Sequence, residues 1–367
     1  MNRRHFIAAA IASLLNGVAF AQDYGKPGGP VTVVICYQPY YTQSWSGVVM
    51  RGKKFYEKYL PKGSNVEFQI GLQGAIIVNN MLAGNQHIGY LGDMPSIVAT
   101  TKTEIADVRL VANLGLAYDQ CNAFLVRNDA PQFKSDHEAI RWLAGKTVAV
   151  PKGSCTDRFA QATFKRFDIQ PKEYLNQNIE VIASNFRANK LDAAVMWQPS
   201  TSRLVDEGLA RLVATGKSVQ ENDGGFLAMR ADLIKARPDV VKAWLQAELD
   251  AQLFIADPKN APEVIKMAKE QTTGFSEKVL WNSLYGRYPD SVGGSEIRNT
   301  MHYTFTPEAR ELITRAAAFL HSIKSINTEQ VRPEAIEATW TEQILKERGL
   351  KAPVAQVKAL PLSQAPK

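Results

Sequence analysis

The stretch "GKTVAVPKGSCTDRF", residues 145–159, decides how this chain is read. Its apolar run, Thr147 to Val150, has the composition of a strand, and helical patterning resumes over 156–167. Between them Pro151-Lys152-Gly153-Ser154-Cys155 makes a turn that opens a helix. Three chemistries suit such a turn. A nucleotide loop needs Gly-x-x-x-x-Gly-Lys-Ser/Thr; here Lys152 precedes Gly153 and the first glycine is missing, so that reading fails. A Cys155 nucleophile needs a histidine base nearby. Of His5, His87, His137, His302 and His321, only His87 lies beside a predicted strand, and it starts that strand rather than ending it. The third reading needs only geometry. Gly153, Ser154 and Cys155 at a helix N-terminus present backbone N–H groups to an anion, aided by the helix dipole. The Ser154 and Thr156 hydroxyls and the Lys152 ammonium add to that cradle.

The same strand–turn–helix unit recurs along the chain. Strands are expected at "VTVVICY" (31–37), "NVEFQIG" (65–71), "HIGYLG" (87–92), "VRLVANL" (108–114) and "AFLVRN" (123–128). Further strands are expected at "IEVIA" (179–183), "LDAAVMW" (191–197), "ARLVAT" (210–215) and "GFLAMR" (225–230). Helices are expected at 46–60, 75–84, after Pro95, at 136–143, 184–190 and after Pro199. From residue 231 the chain reads as almost wholly helical, with helices at 238–256, 276–285, 306–325 and 333–348. The Pro/Ala/Lys-rich 351–367 reads as a flexible tail. Alternating strands and helices imply an α/β protein with parallel pairing.

Ligands of open α/β sheets bind beyond the carboxyl ends of strands. The candidates are therefore the residues just past each strand. They are Gln38, Tyr40 and Trp45, then Gly92, Asp93 and Met94, then Asp119. Lys152, Gly153, Ser154 and Cys155 follow, with Trp197 and, near the return strand, Asp223.

A length of 367 residues predicts two domains. Apolar content of 45% and charged content of 22% are those of a soluble globular protein. The net charge of +7 is scattered, with no basic block of the kind that binds nucleic acid. Residues 1–21 read as a signal peptide: a basic Asn2-Arg3-Arg4-His5, an apolar Phe6 to Val18, and Ala19-Phe20-Ala21 before the cut. Export by the Sec route, or by the twin-arginine route through Arg3-Arg4, to the periplasm is expected, with cleavage after Ala21. Cys36, Cys121 and Cys155 match no zinc spacing, and their odd number leaves at least one without an intrachain partner. No metal or cofactor is expected.

Three ordered segments carry a family resemblance. They are "LAG" (82–84) with "IGYLGDMP" (88–95), then "GKTVAVPKGS" (145–154), then "LDAAVMWQP" (191–199). Together they resemble the periplasmic solute-binding proteins of ABC importers for nitrate, sulfonates and taurine, over about residues 31–256. His87 stands where the family often has aspartate, and Cys155 where it often has a second small hydroxyl residue. The resemblance implies a type II periplasmic-binding fold: two α/β lobes with mixed, mostly parallel sheets, a hinge of two crossovers and a helical C-terminal part. Lobe 1 would comprise 31–121 plus 225–348 and lobe 2 would comprise 122–224, with crossovers near 120–124 and 222–226. It implies a monomer that holds a small anion or zwitterion at Gln38, Asp93, Ser154, Trp197 and their neighbours, and passes it to an ABC permease in the inner membrane. Asp93 or Asp119 would pair with an ammonium if the ligand is an aminosulfonate. This fold would gather the three cysteines near one cleft, for a soft ligand, a metal-bound species or a disulfide. The alternative is an enzyme, since some desulfinases resemble this family and use a cysteine in the first-strand loop, where Cys36 lies.

Overall fold

Two mixed sheets carry the chain, and the structure, a computed structural model, describes residues 23–366. The signal-peptide reading of 1–21 lies outside the described residues. The larger sheet has seven strands. They are β1 (Thr32–Tyr37), β2 (Asn65–Ile70), β3 (Ile88–Gly92), β4 (Val108–Ala117), β10 (Asp223–Arg230), β11 (Ile297–Met301) and β12 (Ala355–Lys358), in the order β12-β11-β4-β10-β3-β1-β2. The smaller contains β5 (Ala123–Arg127), β6 (Thr147–Val150), β7 (Glu173–Asn176), β8 (Ala193–Met196) and β9 (Ala210–Thr215), in the order β7-β6-β8-β5-β9. Among the described strands, parallel pairing is confined to β2-β1-β3 and β7-β6-β8. The strands that cross between sheets, β5 and β10, run antiparallel to both neighbours, so fewer pairs are parallel than strand–helix alternation predicts.

The chain passes between sheets twice, over 118–122 and 216–222. The two crossovers touch at Gly216, whose N–H donates to the Tyr118 carbonyl at 2.7 Å and the Asn122 carbonyl at 3.0 Å. A Cβ there would sit 2.0 Å from the Glu221 carbonyl oxygen, so only glycine fits the hinge. A third segment also spans the lobes. The Tyr288 hydroxyl accepts from Gln198 Nε2 at 2.5 Å, and the Gly293 carbonyl accepts from Thr215 at 2.5 Å.

Local chemistry explains where helices fall. In α5 (Cys155–Phe167), Phe159, Ala160, Thr163 and Phe164 make one buried stripe, Asp157 sits in the positive first turn, and left-handed Asp168 ends it. In α9 (Pro238–Ala256), Pro238 opens the first turn, and Val240, Val241, Trp244, Leu245 and Leu249 bury against the larger sheet's core. The helix expected at 46–60 is broken by left-handed Lys54 into α1 (Trp45–Lys53) and a short 3-10 turn.

Three expectations are overturned. "IEVIA" is not a strand but the start of α6 (Ile179–Arg187). Asn178 caps that helix by accepting from the Val181 N–H at 2.9 Å, and Ile179, Ile182, Ala183 and Phe186 recur at helical spacing. The strand of that unit is β7, which went unread. The 351–367 tail is not free: β12 pairs antiparallel with β11 and buries Val357 completely. Two strands thus lie in the part expected to be almost wholly helical.

Candidate functional site

A cleft of about 430 Å³ opens between the carboxyl ends of β1, β2 and β3 and those of β6, β7 and β8. Gln38, Tyr41, Gln73, Gly74, Ala75, Val78, Asn79 and Gly92 line it from the larger-sheet lobe. Lys152, Gly153, Ser154, Cys155, Asn176, Asn178 and Trp197 line it from the other. Each lobe contributes a helix N-terminus, α5 on one and α2 (Gly74–Leu82) on the other. The N–H groups of Gly74 and Ala75, and of Ser154 and Cys155, find no hydrogen-bond acceptor among the described residues. Tyr41 and Trp197 meet edge to face, with centroids 6.4 Å apart, and form an aromatic wall.

Lys152 is the single charged side chain that lines the cleft among the described residues. Its ammonium rests 4.9 Å over the Tyr174 ring, held by a ring face rather than by a carboxylate. Gly153 adopts a left-handed φ of +76°, which suits glycine. Its N–H is not free as the sequence suggested: it donates to Asp157 Oδ2 at 2.8 Å. Asp157 is buried, and Gln161 and Tyr174 also donate to it. The Ser154 hydroxyl donates to the Pro151 carbonyl at 2.6 Å, so it shapes the turn rather than reaching into the cleft.

Several strand-end candidates belong to the interior instead. Trp45 is fully buried, and its indole N–H donates to the Pro39 carbonyl. Met94 is core. Tyr40 packs on Phe275 and bonds Thr273, away from the cleft. The three carboxylates are all consumed. Asp93, opening α3 (Asp93–Thr100), pairs with Arg158 of α5 at 2.9 Å, an ion pair that links the two lobes. Burial pushes the Asp93 carboxyl up, and Arg158 opposes that. Asp119, in the first crossover, pairs with Arg298 of β11 at 2.9 Å. Asp223 accepts from the Cys121 N–H at 3.0 Å and from Gln43 at 3.1 Å, and burial raises its carboxyl to about 7. A buried carboxylate needs such partners, and none of the three is among the residues that line the cleft.

The cysteines divide two ways. Cys121 and Cys155 form a disulfide with Cα atoms 6.0 Å apart, tying the first crossover to the start of α5. This removes Cys155 as a free thiol, and among the described residues no cluster of metal-binding side chains occurs. Cys36 is buried inside β1, off the cleft lining, and desolvation raises its thiol to about 11.

Sequence reasoning missed Gln73, Asn79, Asn176 and Asn178 and did not select Tyr41. Gln73 follows β2, so the strand-end rule reaches it. Asn176 and Asn178 were hidden by the misread strand at 179–183.

The fold and the cleft define a two-lobed α/β protein with an open cleft between its lobes. Residues 27–269 match the NMT1-like family, and the chain belongs to that family. It is 26% identical over 249 residues to the taurine-binding periplasmic protein of Escherichia coli (strain K12), covering 65% of this chain and 72% of that protein. The structure of the periplasmic nitrate-binding protein NrtA from Synechocystis PCC 6803 superposes with a TM-score of 0.69 at 16% identity, over 94% of this chain and 92% of that one. The desulfurization enzyme DSZB superposes with a TM-score of 0.62 at 16% identity, over 86% of this chain and 99% of that one. The two structural likenesses establish the fold.

Proposed function

We propose that the mature chain is an exported, monomeric binding protein that holds a small anion between its lobes and delivers it to an ABC permease in the inner membrane. One observation carries this reading: backbone N–H groups at two helix N-termini, one from each lobe, line the cleft with no acceptor among the described residues, and the described lining holds a lysine and no carboxylate. Such groups attract an anion through hydrogen bonds and the helix dipole. Pairing of Asp93 and Asp119 with arginines favours an anion over a zwitterion. The Tyr41–Trp197 wall favours a ligand with an organic body, such as a sulfonate, over bare nitrate. The E. coli relative's name, a taurine-binding protein, supports the sulfonate class.

The enzyme reading is less well supported. Cys36 lies off the cleft with its thiol held protonated, and no histidine lines the cleft among the described residues. Release of sulfite from an aryl sulfinate, lost in Cys36→Ser, would restore it. The test of the binding reading is a thermal-shift panel of sulfonates, taurine, nitrate, aromatic carboxylates and pyrimidines on the protein beginning at Gln22. An anion at 100 times its dissociation constant stabilises by about 2.7 kcal/mol. Absence of a shift with every anion would contradict the reading.

A further inference from the structure

We propose that the Cys121–Cys155 disulfide makes anion binding redox-sensitive: the cleft holds its ligand more tightly while the bond is intact, and a bound ligand in turn protects the bond from reduction. This rests on the anion-binding reading above.

The bond joins a crossover to a wall of the cleft. Cys121 lies in the first crossover, and Cys155 opens α5, where the Ser154 and Cys155 N–H groups have no acceptor among the described residues. Although α5 belongs to the smaller-sheet lobe, Cys155 and Cys121 are both part of the apolar core that holds Leu91, Met94 and Phe226 of the larger-sheet lobe. One turn further on, Arg158 pairs with Asp93 and donates to the Glu221 carboxylate at 2.9 Å and the Asn222 carbonyl at 2.8 Å, both in the second crossover. The first turn of α5 is thus tied to one crossover by a covalent bond and to the other by polar contacts. Cutting the covalent tie frees the start of the helix that offers its N–H groups to the anion. A ligand must then order that turn as it binds, and the cost appears as lost affinity. Linkage is reciprocal: the factor that reduction takes from the affinity is the factor by which ligand disfavours reduction.

Access works in the same direction. Cys121 has no exposed surface, whereas Cys155 keeps 7% of its own and is among the residues that line the cleft. The reductant is a small dithiol, and it approaches Cys155 from the cleft, where a bound anion stands in its way. One thiolate of the dithiol attacks the Cys155 sulfur, the S–S bond breaks, and Cys121 leaves with the electron pair and takes up a proton. The second thiol then displaces Cys155, which is protonated in turn. The dithiol ends as a disulfide and the protein gains two thiols.

Two measurements on the full mature protein test the coupling. Calorimetry with benzenesulfonate should show binding about tenfold weaker after treatment with dithiothreitol than before, a factor within the usual range for coupled sites. Cys121→Ser, which leaves every residue of the cleft lining in place, should match the reduced protein and ignore the reductant. The second measurement needs no folded reduced protein, and it decides alone if circular dichroism finds that form unfolded. The rate at which dithiothreitol releases thiols from the native protein should fall at least about tenfold with benzenesulfonate at saturation. Without ligand that rate should not change in dilute urea, because attack on the folded protein does not follow the unfolding equilibrium. Equal affinity before and after reduction, a reduction rate that ligand leaves unchanged, or a rate that climbs with urea overturns the coupling and leaves the anion reading standing. If benzenesulfonate does not bind, the anion with the largest thermal shift takes its place; if no anion gives a shift, both fall.

Discussion

Arg298→Met should destabilise the protein by about 3–5 kcal/mol in urea denaturation, the range for breaking a buried ion pair from one side. Arg298 has no exposed surface. Its Nε donates to Asp119 Oδ2 at 2.9 Å, and Nη2 donates to the Ser283 carbonyl at 3.2 Å. The Asn282 and Gly286 carbonyls also accept from it, and its guanidinium lies 4.5 Å over the Tyr288 ring. Removing the cation leaves the Asp119 carboxyl in the first crossover with, among the described residues, the Gln120 amide as its side-chain donor, at 2.7 Å. It also strands three carbonyls. Adding Asp119→Asn to the same chain removes the uncompensated charge and should recover a large part of the loss. A loss below about 1 kcal/mol for the single variant, the level of an exposed pair, would mean that the pair does not hold the hinge.

Removing the Cys121–Cys155 bond should cost about 3–4 kcal/mol by the chain-entropy estimate for residues 34 apart in sequence. The loop it closes includes β5 and β6, so the bond restrains most of the entry into the second lobe in the unfolded chain. It also fixes the start of α5 to a residue whose N–H is bound to Asp223, so both crossovers and one wall of the cleft are tied at one point. The double variant Cys121→Ser/Cys155→Ser should melt well below the native protein, and reductant should lower the native melt to a similar value. Titration in denaturant should find one thiol without reductant, Cys36, and three after reduction. Three thiols without reductant would contradict the bond.

How far the sequence could be read depended on the range of the interactions involved. The unit at 145–159 was legible because β6 and α5 each show their own apolar period, and glycine and proline mark the break between them. "IEVIA" misled because a short run of β-branched residues suits either state, and the Asn178 cap decided for helix. β12 was missed because its Pro/Ala/Lys composition suggests disorder, while its order comes from pairing with β11 in the completed sheet. For the cleft, the strand-end rule reached Gln38, Gly92, Lys152 to Cys155 and Trp197. It could not tell which acids were already spent. Asp93 meets Arg158 from 65 residues away and Asp119 meets Arg298 from 179 away, and no local pattern records such pairings. The same blindness applied to Gly153, whose N–H is taken by Asp157, a residue visible in the sequence but not visible as a partner.

The central claim is that one anion is held at the same time by backbone N–H groups of both lobes. Amide chemical shifts in a ¹⁵N-labelled sample, recorded while benzenesulfonate is titrated to saturation, test it most directly. The account predicts that the largest shifts fall on Gly74 and Ala75 of one lobe and on Ser154 and Cys155 of the other, saturating along a single binding curve. Shifts confined to one lobe, or no shifts at these four amides at saturating ligand, would contradict it.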